Sequence, residues 1–91
     1  MPVRKRIVIA GRVQGVAFRN STEMAAVGLG VTGWVRNLPN GDVEGCFEGE
    51  EAAVQQLVDW CRRGPSAARV DRLIEHEEFY SGEFSRFEIR Y

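Results

Sequence analysis

Histidine and cysteine are almost missing from this 91-residue chain, which has one histidine, His76, and two cysteines, Cys46 and Cys61. The histidine stands in a charged Glu-His-Glu-Glu run, so no Cys/His cluster of zinc-binding spacing exists and no metal or other cofactor is expected. Two cysteines are too few for a disulfide scaffold. One falls on a strand face and the other on a helical core stripe, so both read as free thiols. No apolar run approaches the roughly 20 residues that cross a bilayer. The opening Met-Pro-Val-Arg-Lys-Arg passes into a strand with no signal-peptide core behind its charges. No membrane partner is therefore expected, and a cytoplasmic location is the default. A surplus of basic charge is also missing: the net charge is −1 and the pI about 5.8. That balance argues against a nucleic-acid partner held by phosphate neutralisation. There is no repeat, low-complexity tract or interdomain linker, so residues 1–91 read as one domain and, by default, a monomer.

What the chain does have is clean periodicity. Residues 3–10 alternate as a first strand, Ile7 and Ile9 on one face and Val8 and Ala10 on the other. Phe18, Thr22, Ala25, Ala26 and Leu29 then recur at helical spacing, with Gly30 as the stop. Val31 to Asn37 is a second strand, with Val31, Gly33 and Val35 opposite Thr32, Trp34 and Arg36. Leu38-Pro39-Asn40-Gly41 is a turn in which Asn40-Gly41 is a hairpin signal, because both positions tolerate φ > 0. The third strand sets Val43, Gly45 and Phe47 against Glu44, Cys46 and Glu48. A second helix buries Val54, Leu57, Val58 and Cys61 with Trp60 beside them. Glu50 and Glu51 in its first turn and Arg62 and Arg63 in its last suit the helix dipole, and Gly64-Pro65 ends it. Residues 68–76 form a fourth strand, Val70, Arg72 and Ile74 alternating with Asp71, Leu73 and Glu75. In a closing strand Phe87, Ile89 and Tyr91 share one face.

The order is β-α-β-β-α-β plus a C-terminal strand. The economical solution is an α+β ferredoxin-like sandwich, with two helices on one face of an antiparallel-dominated sheet. Two strands joined through a helix run parallel and finish at one end of the sheet, even with the third strand threaded between them. The turn leaving strand one and Asn37 at the end of strand two should therefore meet at one edge.

That turn belongs to Gly11-Arg12-Val13-Gln14-Gly15-Val16-Ala17-Phe18-Arg19. A glycine-bearing turn at a helix start offers backbone N–H groups in a concave nest, which suits a tetrahedral anion. Arg19 adds a guanidinium able to grip two anion oxygens. The glycines stand at 11 and 15, unlike G-x-G-x-x-G, and the Gly-Lys-Ser/Thr end of a nucleotide P-loop is missing.

Together with Gly33-Trp-Val-Arg-Asn37, Asn40-Gly41-Asp-Val-Glu44, Gly64-Pro65 and Phe87-Glu-Ile-Arg-Tyr91, this window resembles the acylphosphatase family over nearly the whole chain. The resemblance implies a metal-independent hydrolase that cleaves the carboxyl–phosphate bond of small acyl phosphates, giving a carboxylate and inorganic phosphate. It also implies that Arg19 binds the phosphate, that Asn37 positions the attacking water, and that backbone N–H groups of Gln14, Gly15, Val16, Ala17 and Phe18 form the phosphate loop. Family members often carry glycine or a larger residue where this chain has Ala17; alanine is harmless there if the backbone is right-handed helical. The resemblance further suggests that the carboxylate of Tyr91 lies near the site and orients Arg19.

An acyl phosphate leaves as a carboxylate whose ordinary pKa is about 4, so it needs no proton from a general acid. The lack of a Ser/His/Asp triad or thiolate site is consistent with that. Two rivals are weighed. An RNA-recognition domain uses a similar sandwich but shows an aromatic platform on its third strand, where this chain has Val-Glu-Gly-Cys-Phe-Glu-Gly. A regulatory domain that senses an anion without turnover is the other. Trp34 and Trp60 read as packing residues, His76 as solvated, and Arg4-Lys5-Arg6 as a solvated edge.

Overall fold

The structure, a computed structural model, describes residues 1–91. It has the elements β1 (Pro2–Arg12), α1 (Phe18–Leu29), β2 (Thr32–Asn37), β3 (Val43–Glu50), α2 (Glu51–Cys61), β4 (Arg69–Glu78) and β5 (Phe87–Arg90). The sheet order is β4-β1-β3-β2-β5. β3 lies antiparallel to both β1 and β2, β4 is antiparallel to β1, and β5 is parallel to β2. β1 and β2 consequently run the same way on either side of β3, and their C-terminal ends share one edge of the sheet.

Both helices cover one face, and the core lies beneath them. Ile7, Ile9, Val35, Phe47 and Phe87 from the sheet meet Phe18 and Ala26 of α1 and Val54, Leu57, Val58 and Cys61 of α2. The edge of Phe18 meets Trp60, with ring centroids 5.9 Å apart. The small residues of α1 allow a close approach. Gly33 shows how close the sheet itself becomes: its φ is +133°, and a Cβ there would stand 1.9 Å from the Cys46 carbonyl oxygen. Only glycine fits that backbone. The single lysine of the chain, Lys5, points to the helix side, where it is 8 % exposed and donates to Gln55 Oε1 at 2.5 Å.

Four details depart from the sequence reading. In β4 the register shifts between Ala10 and Gly11, which pair with Arg72 and Val70 and leave Asp71 as an extra residue. The bulge turns Val70 and Leu73 to the same side, against the core, while Ile74 faces out and is exposed; a strict period of two had set Val70 opposite Leu73. In the β2–β3 loop only Gly41 adopts positive φ. Asn40 stays on the ordinary side and its Oδ1 accepts the Asp42 N–H at 3.0 Å. Arg62 and Arg63 lie just beyond α2 rather than in its last turn, and Glu50 is its N-cap without a capping side-chain bond.

The fourth departure is on the open face of the sheet. Arg4 and Arg6 do not form a solvated edge: β1 lies inside the sheet and both side chains are half-buried. Glu78 bridges them at 3.0 Å each, Glu44 joins Arg6 at 3.1 Å to Arg36 at 2.7 Å, and Arg4 also reaches Glu83. Glu48 beneath them is 1 % exposed; its Oε2 accepts from the Ser81 N–H at 3.0 Å, and its Oε1 has no partner. The hydrogen bond from Arg4, then that from Ser81, holds the Glu83 carboxyl below the usual glutamate range. Trp34 also stands on this face, with the Arg36 and Arg90 guanidiniums 5.3 and 4.8 Å from its ring centroid. Both cysteines are buried and unpaired.

Candidate active site

The loop from β1 to α1 arrives at the helix without a conventional cap. Its last residue, Ala17, has φ 62° and ψ 28° and is the only non-glycine residue at positive φ. The right-handed backbone on which the harmlessness of alanine was conditional is not found, so its methyl group sits in a backbone conformation that costs an L-residue roughly 1–2 kcal/mol. The turn that this conformation makes leaves donors free. The first backbone bond at the start of α1 runs from the Ser21 N–H to the Ala17 carbonyl at 3.0 Å. The N–H groups of Gln14, Gly15, Val16 and Ala17 meet no backbone carbonyl, and those of Phe18, Arg19 and Asn20 stand ahead of any intrahelical acceptor. No side chain caps this end and no acidic residue occupies the first turn. By contrast, α2 carries Glu51 there. The α1 terminus keeps its partial positive charge uncompensated.

A pocket of about 130 Å³ opens at this point, lined by Val13, Gly15, Ala17, Phe18, Arg19, Asn20, Asn37 and Tyr91. Arg19 comes from the first turn of α1 and Asn37 from the last position of β2, so the shared sheet edge brings together two side chains eighteen positions apart. Of the other residues expected in the loop, Gly15, Ala17 and Phe18 line the pocket. Gln14 and Val16 do not: Val16 packs against the core, and the Gln14 amide donates to the carbonyls of Leu38 at 2.8 Å and Asp42 at 2.9 Å. That side chain staples the β1–α1 loop to the β2–β3 hairpin immediately after Asn37. Its contribution is structural as well as local, and sequence reasoning had considered only its backbone.

Arg19 makes no ion pair with a carboxylate of the chain. Its Nη1 donates to the Arg90 carbonyl at 3.4 Å and its guanidinium lies 4.8 Å from the Tyr91 ring centroid. The C-terminal segment therefore meets Arg19 through a carbonyl and an aromatic face, where a carboxylate contact had been expected. The positive charge stays available to a ligand. Asn20 and the Tyr91 ring were not anticipated as pocket residues; adjacency to Arg19 was the only sequence signal for the first, and the apolar face shared with Phe87 hinted at packing for the second.

The arrangement of free N–H groups, an unpaired guanidinium and a carboxamide suits a small oxyanion and a positioned water. Comparison with known proteins supplies the family. The family model described as Acylphosphatase matches residues 5–89. An acylphosphatase of Geobacter sulfurreducens is 59% identical over 91 residues, covering 100% of both chains. The crystal structure of acylphosphatase from Bacillus subtilis superposes with a TM-score of 0.94 at 36% identity, covering 98% of this chain and 99% of that one. An acylphosphatase structure from Coxiella burnetii gives a TM-score of 0.93 at 36% identity, over 98% and 93% of the two chains. With sequence and fold in agreement over nearly the whole chain, this chain belongs to the acylphosphatase family, the hydrolases of acyl phosphates.

Proposed function

We propose that Arg19 and the backbone N–H groups of the loop at residues 14–18, chiefly those of the pocket-lining Gly15, Ala17 and Phe18, hold the phosphate of the substrate while Asn37 positions the attacking water. The observation that supports this most is the convergence of Arg19 and Asn37, from different elements, on one pocket beside a loop of unpaired donors. Phosphoryl transfer through a loose transition state asks mainly for positioning and for stabilisation of charge on the equatorial oxygens. The guanidinium and the N–H groups supply that stabilisation, preorganised and without a carboxylate competing for the arginine. The Asn37 carboxamide accepts a hydrogen bond from water and fixes its approach, but it is no strong base. The water's proton passes to a phosphate oxygen of the substrate. The bond between phosphorus and the carboxyl oxygen breaks, and the carboxylate leaves unprotonated.

The domain of 91 residues acts on this reading as a monomer on small acyl phosphates, with no metal taking part, and its two unpaired thiols suit a reducing cytoplasm. Losing one preorganised donor typically costs about 10²–10³ in rate. Arg19→Ala and Asn37→Ala are each expected to lose at least that factor in hydrolysis of benzoyl phosphate, followed by ultraviolet absorbance, with circular dichroism unchanged. Near-native turnover by folded Asn37→Ala would remove the water-positioning role. EDTA should leave the wild-type rate intact.

A further inference from the structure

We propose that Trp34 is a positioning residue for the phosphate-binding arginine, acting from the opposite face of the sheet through Arg90. The inference rests on the reading of Arg19 as the phosphate ligand. β5 is four residues long and lies at the sheet edge, hydrogen-bonded on one side only. The end of such a strand frays unless something ties it down. Yet Arg19 takes both of its protein contacts from that end: the Arg90 carbonyl at 3.4 Å and the Tyr91 ring at 4.8 Å.

The tie is on the open face. Arg36 pairs with Arg90, and Trp34 with Glu88, in the parallel register of β2 and β5, so Trp34, Arg36 and Arg90 share one side. The Arg90 guanidinium lies over the Trp34 ring at 4.8 Å from its centroid. Arg90 forms no ion pair, so the indole face is its principal partner. Arg36 approaches the same ring at 5.3 Å, but its charge is already compensated by Glu44 at 2.7 Å. That compensation lets two guanidiniums share one indole. The indole thus pins the side chain of residue 90, whose carbonyl in turn orients the arginine at the pocket.

Loss of one partly exposed cation–π contact is expected to weaken ligand affinity about two- to fivefold. The test measures the inhibition constant of inorganic phosphate, with KM and kcat for benzoyl phosphate, in Trp34→Leu, Arg90→Gln, their double variant, Trp34→Phe and Arg19→Ala. The expected result is a two- to fivefold rise in the phosphate constant and in KM for Trp34→Leu and for Arg90→Gln, with kcat changed by less than twofold. The double variant should be no worse than either single one, and Trp34→Phe should restore most of the affinity. A role limited to stability would lower the melting temperature and leave the phosphate constant alone. If Arg19→Ala raises that constant while Trp34→Leu and Arg90→Gln do not, the tie is refuted and the phosphate reading stands. If Arg19→Ala leaves it unchanged, both fall.

Discussion

Ala17 is the residue on which the anion loop turns. Positive φ sets the path of the chain into α1 and leaves the preceding N–H groups without acceptors. An L-residue in this region carries about 1–2 kcal/mol of strain. Glycine would remove it, at a loss of about 0.4–1 kcal/mol from the greater freedom of the unfolded chain. Ala17→Gly is accordingly expected to stabilise the protein by about 0.5–1 kcal/mol, measured as a higher urea midpoint at unchanged m-value. The sequence reading tied the harmlessness of alanine to a right-handed backbone; the conformation is set instead by the approach of the loop to the hairpin, through Gln14 and the carbonyls of Leu38 and Asp42. Such a contact, between residues more than twenty positions apart, leaves no periodic trace.

At the level of elements, alternation and helical spacing carried most of the information. The faces of β1, β2 and β3, the buried stripe of α2 and the Gly30 stop of α1 were all legible, because one apolar face had to meet another. Where the sheet departs from strict pleating, legibility ended: the extra residue Asp71 in β4 reverses the sides of everything before it. The pairing of Arg4 and Arg6 with Glu78 and Glu83 was equally hidden, since it depends on which strand becomes the neighbour. For the site, the sheet topology alone brought the α1 start and Asn37 to one edge, while the Tyr91 ring and the Gln14 staple needed the folded backbone. The buried face of α2 also has a pH signature. Burial pushes the Cys61 thiol up to about 12, partly opposed by a hydrogen bond with Thr22. The unfolded thiol ionises near 8.5, so the unfolded state releases its proton first. This contribution to stability is complete below about pH 8.5 and declines as pH rises towards the folded value. Denaturant titrations between pH 7 and 11 should show that decline in the wild type and a shallower one in Cys61→Ala, despite the lower stability of that variant at pH 7.

Across the whole molecule, cationic charge is supplied almost entirely by arginine. The chain has twelve basic residues, of which Lys5 alone is lysine, and it is covered on the helix side with its ammonium held by Gln55. Acyl phosphates are electrophiles as well as phosphoryl donors. An amine nitrogen attacks the carbonyl carbon, an amide forms, and inorganic phosphate departs with the proton lost to solvent. Guanidinium groups stay protonated and do not take part. Peptide mapping of folded Asn37→Ala after exposure to benzoyl phosphate should find Lys5 unmodified, whereas the same treatment in denaturant should benzoylate it. Because its only side-chain amine is sheltered, the protein can work in a solution of its own reactive substrate without that amine becoming the acceptor.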